Sequence, residues 1–299
     1  MFNSVLIIGC GLIGSSILRA INFKKLSKKI IVFEKSKKNI SKIKKIKINC
    51  NIIKNIDSKI SDVDLAIICT PMSEYKKIIL KLNKNLSSKS LITDVGSTKQ
   101  NTIKLKNKYL NKKLDWILSH PITGSEMTGP EHGNKNLFLN KWCIIIKEKK
   151  NNIKKVNKVK KFWKKLGSKI IQMDSINHDK IFAITSHLPH LVAYNLIKTA
   201  QDSQKSQRKN IIKYSAGGLR DFSRIAASNE IMWRDIFFSN QNNMINGINL
   251  FIKNLNLFKK IIKKKDNKKI IKKLIHSKKV RKEIIQLKYD IDKPDFGRN

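Results

Sequence analysis

Val5-Leu6-Ile7-Ile8-Gly9-Cys10-Gly11-Leu12-Ile13-Gly14 decides the fold: four apolar residues run into three glycines, and Ser15-Ser16-Ile17-Leu18-Arg19-Ala20 follows at helical spacing. A short continuous apolar run reads as a strand buried on both faces, the kind found in parallel sheets. Three glycines spaced G-x-G-x-x-G between a strand and a helix are the dinucleotide-binding fingerprint in its required context. Gly9 permits the tight turn, Gly11 lets backbone approach a pyrophosphate, and Gly14 lets the helix pack on the strand. Leu12 and Ile13 belong to the first helical turn, whose N-terminus faces the phosphates. These five residues are the expected phosphate cradle.

Outward from the fingerprint, Lys29-Ile30-Ile31-Val32-Phe33 reads as the next strand and delivers Glu34, twenty residues after Gly14. A carboxylate there accepts from both ribose hydroxyls and repels a 2′-phosphate, which favours NAD over NADP. Residues 39–60 alternate Ile and Lys so heavily that period alone cannot separate helix from strand. Asp64 to Pro71 reads as a strand running into a turn. Leu91-Ile92-Thr93-Asp94-Val95 reads as another strand, with Ser97 or Thr98 capping the helix after it.

Trp116-Ile117-Leu118 leads into Ser119-His120-Pro121-Ile122-Thr123-Gly124-Ser125-Glu126, which gathers an imidazole, hydroxyls and a carboxylate at a strand's C-terminal end. Open α/β sheets place their chemistry there. Residues 127–140 read as an active-site loop, and Trp142 to Ile146 as a strand closing the first sheet. Lys169 to Met173 is the last strand signal, so a Rossmann domain spans 1–173 and an all-α domain spans 174–299. Ser175 is the expected cap of a long helix carrying His178, Asp179, His187 and His190, kinked at Pro189. Gly217-Gly218 reads as a flexible turn, 229–262 as one helix, and the lysine-rich segment 253–288 as a solvated helical face.

The formal charge of +43 would ordinarily raise nucleic acid as a partner. Only seven of the 64 basic residues are Arg, and Ile and Asn are inflated alongside Lys, as adenine- and thymine-rich codons would produce. The lysines are spread along the chain rather than interleaved with aromatics on one motif, so neither nucleic acid nor membrane is expected. No apolar run reaches the roughly 18 residues of a membrane span, and the chain enters a strand at once, which points to the cytoplasm. Cys10, Cys50, Cys69 and Cys143 form no Cys-x-x-Cys pair and read as reduced packing residues. The spacing of His187 and His190 matches no zinc signature, so no metal is expected. Arg220, Arg224 and Arg234 keep the guanidinium fork within fifteen residues, where bidentate carboxylate recognition would need it, or where Asp221 and Asp235 would pair with it.

Asp94-Val95-Gly96-Ser97-Thr98-Lys99, the His120 segment, Ser186-His187-Leu188-Pro189-His190 and Gly217-Gly218-Leu219-Arg220-Asp221-Phe222-Ser223-Arg224-Ile225-Ala226 agree in order. Together with the fingerprint they make the chain, from about residue 4 to about 250, resemble the prephenate/arogenate dehydrogenase family of tyrosine biosynthesis. The resemblance implies NAD-dependent oxidative decarboxylation of prephenate or arogenate, in a homodimer joined through the helical domain. It makes His120 the base and Ser97 the residue orienting the substrate hydroxyl, and it closes Thr70 and Pro71 over the cofactor. Arg224 is expected on the substrate carboxylate, His190 with His187 behind it reaches the substrate, Ser125 and Glu126 border the pocket, and Trp233 is an aromatic wall. Two other readings stand beside it: a β-hydroxy-acid dehydrogenase of similar architecture, and a non-catalytic NAD-sensing regulator.

Overall fold

The computed structural model describes residues 1–57, 60–207, 210 and 212–287. Its centre is β1 (Phe2–Ile8), whose last four residues are fully buried. Alternate side chains leave a strand on opposite faces, and β1 obeys this: Val5 and Ile7 join one core, Leu6 and Ile8 another. The first core is covered by α1 (Leu12–Phe23) and α5 (Ile153–Leu166) through Ile17, Leu18, Phe162 and Trp163. The second is covered by α3 (Tyr75–Asn85) through Ile78, Ile79 and Leu82. Two buried faces explain why the strand sequences are continuously apolar.

The main sheet is wholly parallel and has six strands in the order β3-β2-β1-β4-β5-β6. The added strands are β2 (Ser27–Phe33), β3 (Asn51–Ile53), β4 (Leu65–Ile68), β5 (Leu91–Asp94) and β6 (Asp115–Trp116). The ambiguous Ile/Lys stretch resolves into α2 (Lys37–Lys45), capped by the Ser36 hydroxyl accepting from Asn39 N, and the edge strand β3. After β3 the chain crosses to the other side of β1 and lays down β4 with Val5 opposite Leu65. Connections diverge at that point, opening a crevice beyond the strands' C-terminal ends.

Residues 142–146 do not close this sheet. They form β8 (Trp142–Ile146) of a separate three-stranded sheet, antiparallel to β7 (Ser119–Pro121) and parallel to β9 (Lys169–Met173). After Trp116 the strand direction breaks, and only Ile117 N to Ile92 O continues the parallel ladder. Next come α6 (Ser175–Phe182), a π-helical turn Ala183–His187, and α7 (Leu188–Gln207). Pro189 has no N–H to donate, and the wide turn lies immediately before it. Asp174, not Ser175, caps α6: its carboxylate accepts from Ile176 N and Asn177 N.

The Gly217-Gly218 pair is the first turn of α8 (Gly217–Ala226) rather than a free turn. The expected single helix over 229–262 is two, α9 (Glu230–Ser239) and α10 (Gln241–Lys263), divided at the buried Asn240. Asn240 spends its amide on tertiary bonds, donating to Asp179 O at 2.8 Å. The chain forms two compact units, Met1–Met244 and one starting at Ile245. The second contains the rest of α10 and α11 (Asn267–Gln286), which Asp266 caps and whose Leu274 and Ile275 are exposed. Residue 288, the end of the lysine-rich stretch, lies outside the described residues. No helix among the described residues is long and apolar enough to cross a membrane.

Candidate active site

The loop after β1 meets the loop after β4. Gly9 has φ +88°, and a Cβ there would stand 2.9 Å from Thr70 Cγ2 and 3.1 Å from Thr70 N, so the tight turn is required. A Cβ on Gly14 would lie 2.1 Å from Gly9 O, while one on Gly11 would meet nothing within 4 Å. The open space at Gly11 is a cradle beside the first turn of α1, which contains Leu12 and Ile13 and has no side-chain cap. Uncapped N–H groups at a helix start bind anions. Thr70 Oγ1 is buried without a partner, and Pro71 starts a 3-10 turn, Met72–Glu74. Glu34 is fixed at the crevice rim, one oxygen accepting from Cys10 N at 3.1 Å and the other from Ser36 N at 2.9 Å. An open glycine, an uncapped helix and an orphaned hydroxyl fit a dinucleotide.

The loop over 127–140 is docked on the cofactor half. Arg19 donates to Pro130 O at 2.9 Å, Asn134 N to Ser16 Oγ at 3.0 Å, and Lys42 pairs with Glu131.

Behind the crevice lies a buried polar cluster that sequence reading missed. Asp94, at the end of β5, receives Lys99 Nζ at 2.7 Å, Gly96 N at 3.0 Å, Tyr75 Oη and Trp116 Nε1 at 3.2 Å, and Ser119 N at 3.3 Å. Lys99 also donates to Ser119 O at 2.6 Å, and neither Lys99 nor Asp94 exposes any side-chain surface. Among so many surface lysines, one buried lysine leaves no mark in the sequence. Ser97 lies half-buried in the turn between β5 and α4 (Gln100–Tyr109), and no hydrogen bond joins it to His120 among the described residues. Neither Ser97 nor Thr98 caps α4. The cap comes from 80 residues away, where the two oxygens of Asp179 accept from Lys99 N at 2.8 Å and Gln100 N at 2.9 Å.

His120, in β7, is 8% exposed and packs edge-on against Phe182, ring centres 5.0 Å apart. Its Nδ1 is 2.9 Å from His178 Nε2, and His178 Nδ1 is 2.8 Å from Asp179 Oδ1. An ionised carboxylate only accepts, so His178 carries its proton on Nδ1 and offers Nε2 as acceptor. His120 must therefore donate from Nδ1, which leaves its Nε2 lone pair free. Burial holds the His120 imidazole well below its ordinary range, and His178, Lys99 and His187 add to this. The expected base is therefore neutral in the resting protein. Adjacent His and Asp at a helix start were the only trace of this chain in the sequence.

The remaining expected residues gather around α7 to α9. His190 stacks on Trp233 at 3.8 Å and 22° and donates from Nδ1 to Ser186 O at 2.9 Å. His187, 6.1 Å from the Trp233 ring, accepts at Nδ1 from Asn240 Nδ2 at 3.2 Å, and burial pushes it down to about 4. Arg224 Nη1 reaches Glu126 Oε2 at 3.3 Å, joining α8 to the His120 segment. Arg224 Nε and Trp233 Nε1 are buried donors with no partner. Arg234 pairs with Asp235 at 2.7 Å. Ser125 is exposed and accepts from Met127 N at 3.2 Å. Among the described residues no group of three or more His, Cys, Asp or Glu side chains is arranged to hold a metal ion.

Residues 17–172 match the family model of the prephenate dehydrogenase nucleotide-binding domain, and residues 174–276 match that of the prephenate dehydrogenase dimerization domain. The chain is 30% identical to a cyclohexadienyl dehydrogenase of Zymomonas mobilis over 98% of both chains. It is 27% identical to a prephenate dehydrogenase of Bacillus subtilis, covering 89% of this chain and 72% of that one. A crystal structure of prephenate dehydrogenase from A. aeolicus, in complex with hydroxyphenyl propionate and NAD+, superposes with TM-score 0.88 at 33% identity, covering 95% of this chain and 99% of that one.

Proposed function

This chain belongs to the prephenate dehydrogenase family, and from that premise we infer the reaction and the residues that run it. It is an NAD-dependent oxidoreductase that oxidatively decarboxylates prephenate to 4-hydroxyphenylpyruvate, arogenate to tyrosine, or both, in tyrosine biosynthesis. Bound NAD supplies the hydride acceptor. Gly9, Gly11, Leu12, Ile13 and Gly14 hold its pyrophosphate, Glu34 its ribose, and Thr70 and Pro71 its nicotinamide end; the unpartnered Thr70 hydroxyl supports this reading.

As hydride leaves the ring carbon bearing the 4-hydroxyl, that oxygen must lose its proton, and His120 Nε2 takes it. Ser97 orients the same hydroxyl. Loss of the ring carboxylate as CO2 is driven by aromatisation, so the remaining task is to hold a dicarboxylate in register. Arg224 holds one carboxylate, and Trp233, His190 and His187 form the wall, with Ser125 and Glu126 at the rim. The observation that carries the assignment is the pair of buried unpartnered donors, Arg224 Nε in α8 and Trp233 Nε1 in α9, both near His190, on whose ring Trp233 stacks. Unpaired buried donors are costly unless a ligand completes them.

The change of role along the chain falls at 173/174: the domain assigned to 174–299 holds substrate and joins two copies into a homodimer, and the enzyme works in the cytoplasm. Sedimentation at micromolar concentration should give twice the chain mass; a monomer would remove the dimer. NADH production with prephenate and with arogenate, side by side, tests the function. Turnover of neither would leave the NAD-sensing alternative standing.

A further inference from the structure

His178 and Asp179 lie behind His120, buried and out of the mechanism above. We propose that the proton taken from the substrate hydroxyl does not stay on His120: as Nε2 of His120 gains it, the Nδ1 proton of His120 passes to Nε2 of His178. The O–H bond of the substrate breaks and a His120 Nε2–H bond forms; the His120 Nδ1–H bond breaks and a His178 Nε2–H bond forms. His120 ends neutral, in its other tautomer, and the imidazolium rests on His178 beside the Asp179 carboxylate. The inference depends on His120 being the base.

Geometry carries it. The transfer between the rings uses a hydrogen bond already in place at 2.9 Å, and the 2.8 Å bond from His178 Nδ1 to Asp179 keeps Nε2 of the receiving ring free to accept. The charged groups around the pair are unevenly placed. Lys99, on the turn into α4, bears on both rings, and His187, in the π turn, bears on His120. Asp179, on α6 itself, and Asp94, at the end of β5, favour a charge on His178, while the charges acting on His120 all oppose one. A cation formed in the buried pair is therefore more stable on His178. The two N–H groups from which Asp179 also accepts, on Lys99 and Gln100 at the start of a helix, hold its carboxylate in place behind His178.

The arrangement gives one carboxylate two duties. It fixes the tautomer of the proton acceptor, and it caps the helix that follows the Ser97 turn, so one side chain aligns both expected partners of the substrate hydroxyl.

Three measurements on the protein decide it. The rate of single-turnover NAD reduction should curve downward with deuterium fraction in mixed light and heavy water, as two protons moving together require. A straight line in the wild type overturns the relay. In His178→Gln the amide oxygen still accepts from His120 Nδ1 but cannot take a proton; kcat should fall on the order of 10²-fold, with NAD affinity unmoved and the curve straightened. A kcat near wild type in that variant means that His178 only orients, and overturns the proposal. ¹⁵N-histidine spectra during acidification give a readout independent of turnover: His178 should become doubly protonated while His120 switches to its Nε2–H tautomer. Double protonation of His120 first overturns the relay while leaving His120 as base. Wild-type turnover in His120→Asn would instead remove the base itself.

Discussion

Replacing Arg224 by Lys keeps the positive charge and removes only the planar fork. Arg224 Nη1 pairs with Glu126 Oε2 at 3.3 Å, with the arginine side chain 40% exposed. A partly exposed pair of that kind is worth little, so losing it should barely alter the free enzyme. The Nε donor is different, being buried and unpartnered until a carboxylate arrives. An ammonium can replace one of two parallel bonds to a carboxylate but not both. Hydrogen bonds to charged groups contribute roughly 1.5 to 3 kcal/mol, which corresponds to a loss of about 10- to 150-fold in kcat/KM. The assay is NADH formation across a range of prephenate and arogenate concentrations, with NAD affinity measured separately by fluorescence and expected to stay constant. An unchanged kcat/KM would mean that the many lysines supply a sufficient field, and Arg224 would leave the site.

Three further outcomes are expected. His120→Asn should lower kcat by about 10² to 10⁴ with little change in NAD binding, and wild-type kcat should keep its plateau to below pH 6.5, because burial, His178, Lys99 and His187 depress His120. An acid limb centred above 6.5 would contradict that environment. Stability should fall on acidification: His187 is pushed down to about 4, chiefly by burial, so between its ordinary 6.5 and 4 the unfolded chain binds a proton that the fold refuses. The burial-depressed His120, His178 and His190 act in the same direction, and equal urea midpoints at pH 7.5 and 5 would refute this. Lys99→Met should cost on the order of 3 to 5 kcal/mol, because it strands Asp94 in a fully buried site, and Asp94→Asn in the same chain should restore part of it. A loss under about 1 kcal/mol in urea unfolding would show the pair to be hydrated.

The parallel sheet was legible because its signals are local: an apolar run, glycines whose spacing encodes a turn, and a carboxylate at the end of the next strand. The edge strand β3 was not, since Ile and Lys alternate through residues 39–60 and only pairing with β2 selects a strand there. Capping was misread at α4 and α6 for different reasons. At α6 the neighbouring Asp174 outcompetes Ser175, a shift of one residue. At α4 the cap arrives from Asp179, and no local pattern reveals a partner so distant in sequence. The same holds for His178: proximity to His120 comes from packing α6 against β7, which periodicity does not encode. The split at Asn240 was hidden because an asparagine inside a helical pattern reads as tolerated until its amide is seen bonded to Asp179 O.

Three backbone N–H groups of the cofactor half, on Ser73, Lys99 and Gln100, are held by carboxylates that the ribosome adds much later, Asp235 for the first and Asp179 for the others. A chain emerging from its N-terminus can pair β1, β2 and β4 well before Asp235 has been made, since domains begin folding during synthesis. The sheet therefore comes into being ahead of the groups that clamp its loops. Until α6 leaves the exit tunnel, the nascent crevice has strands and glycines but a His120 that His178 does not yet hold, so a dinucleotide taken up by the unfinished polypeptide meets an unassembled site.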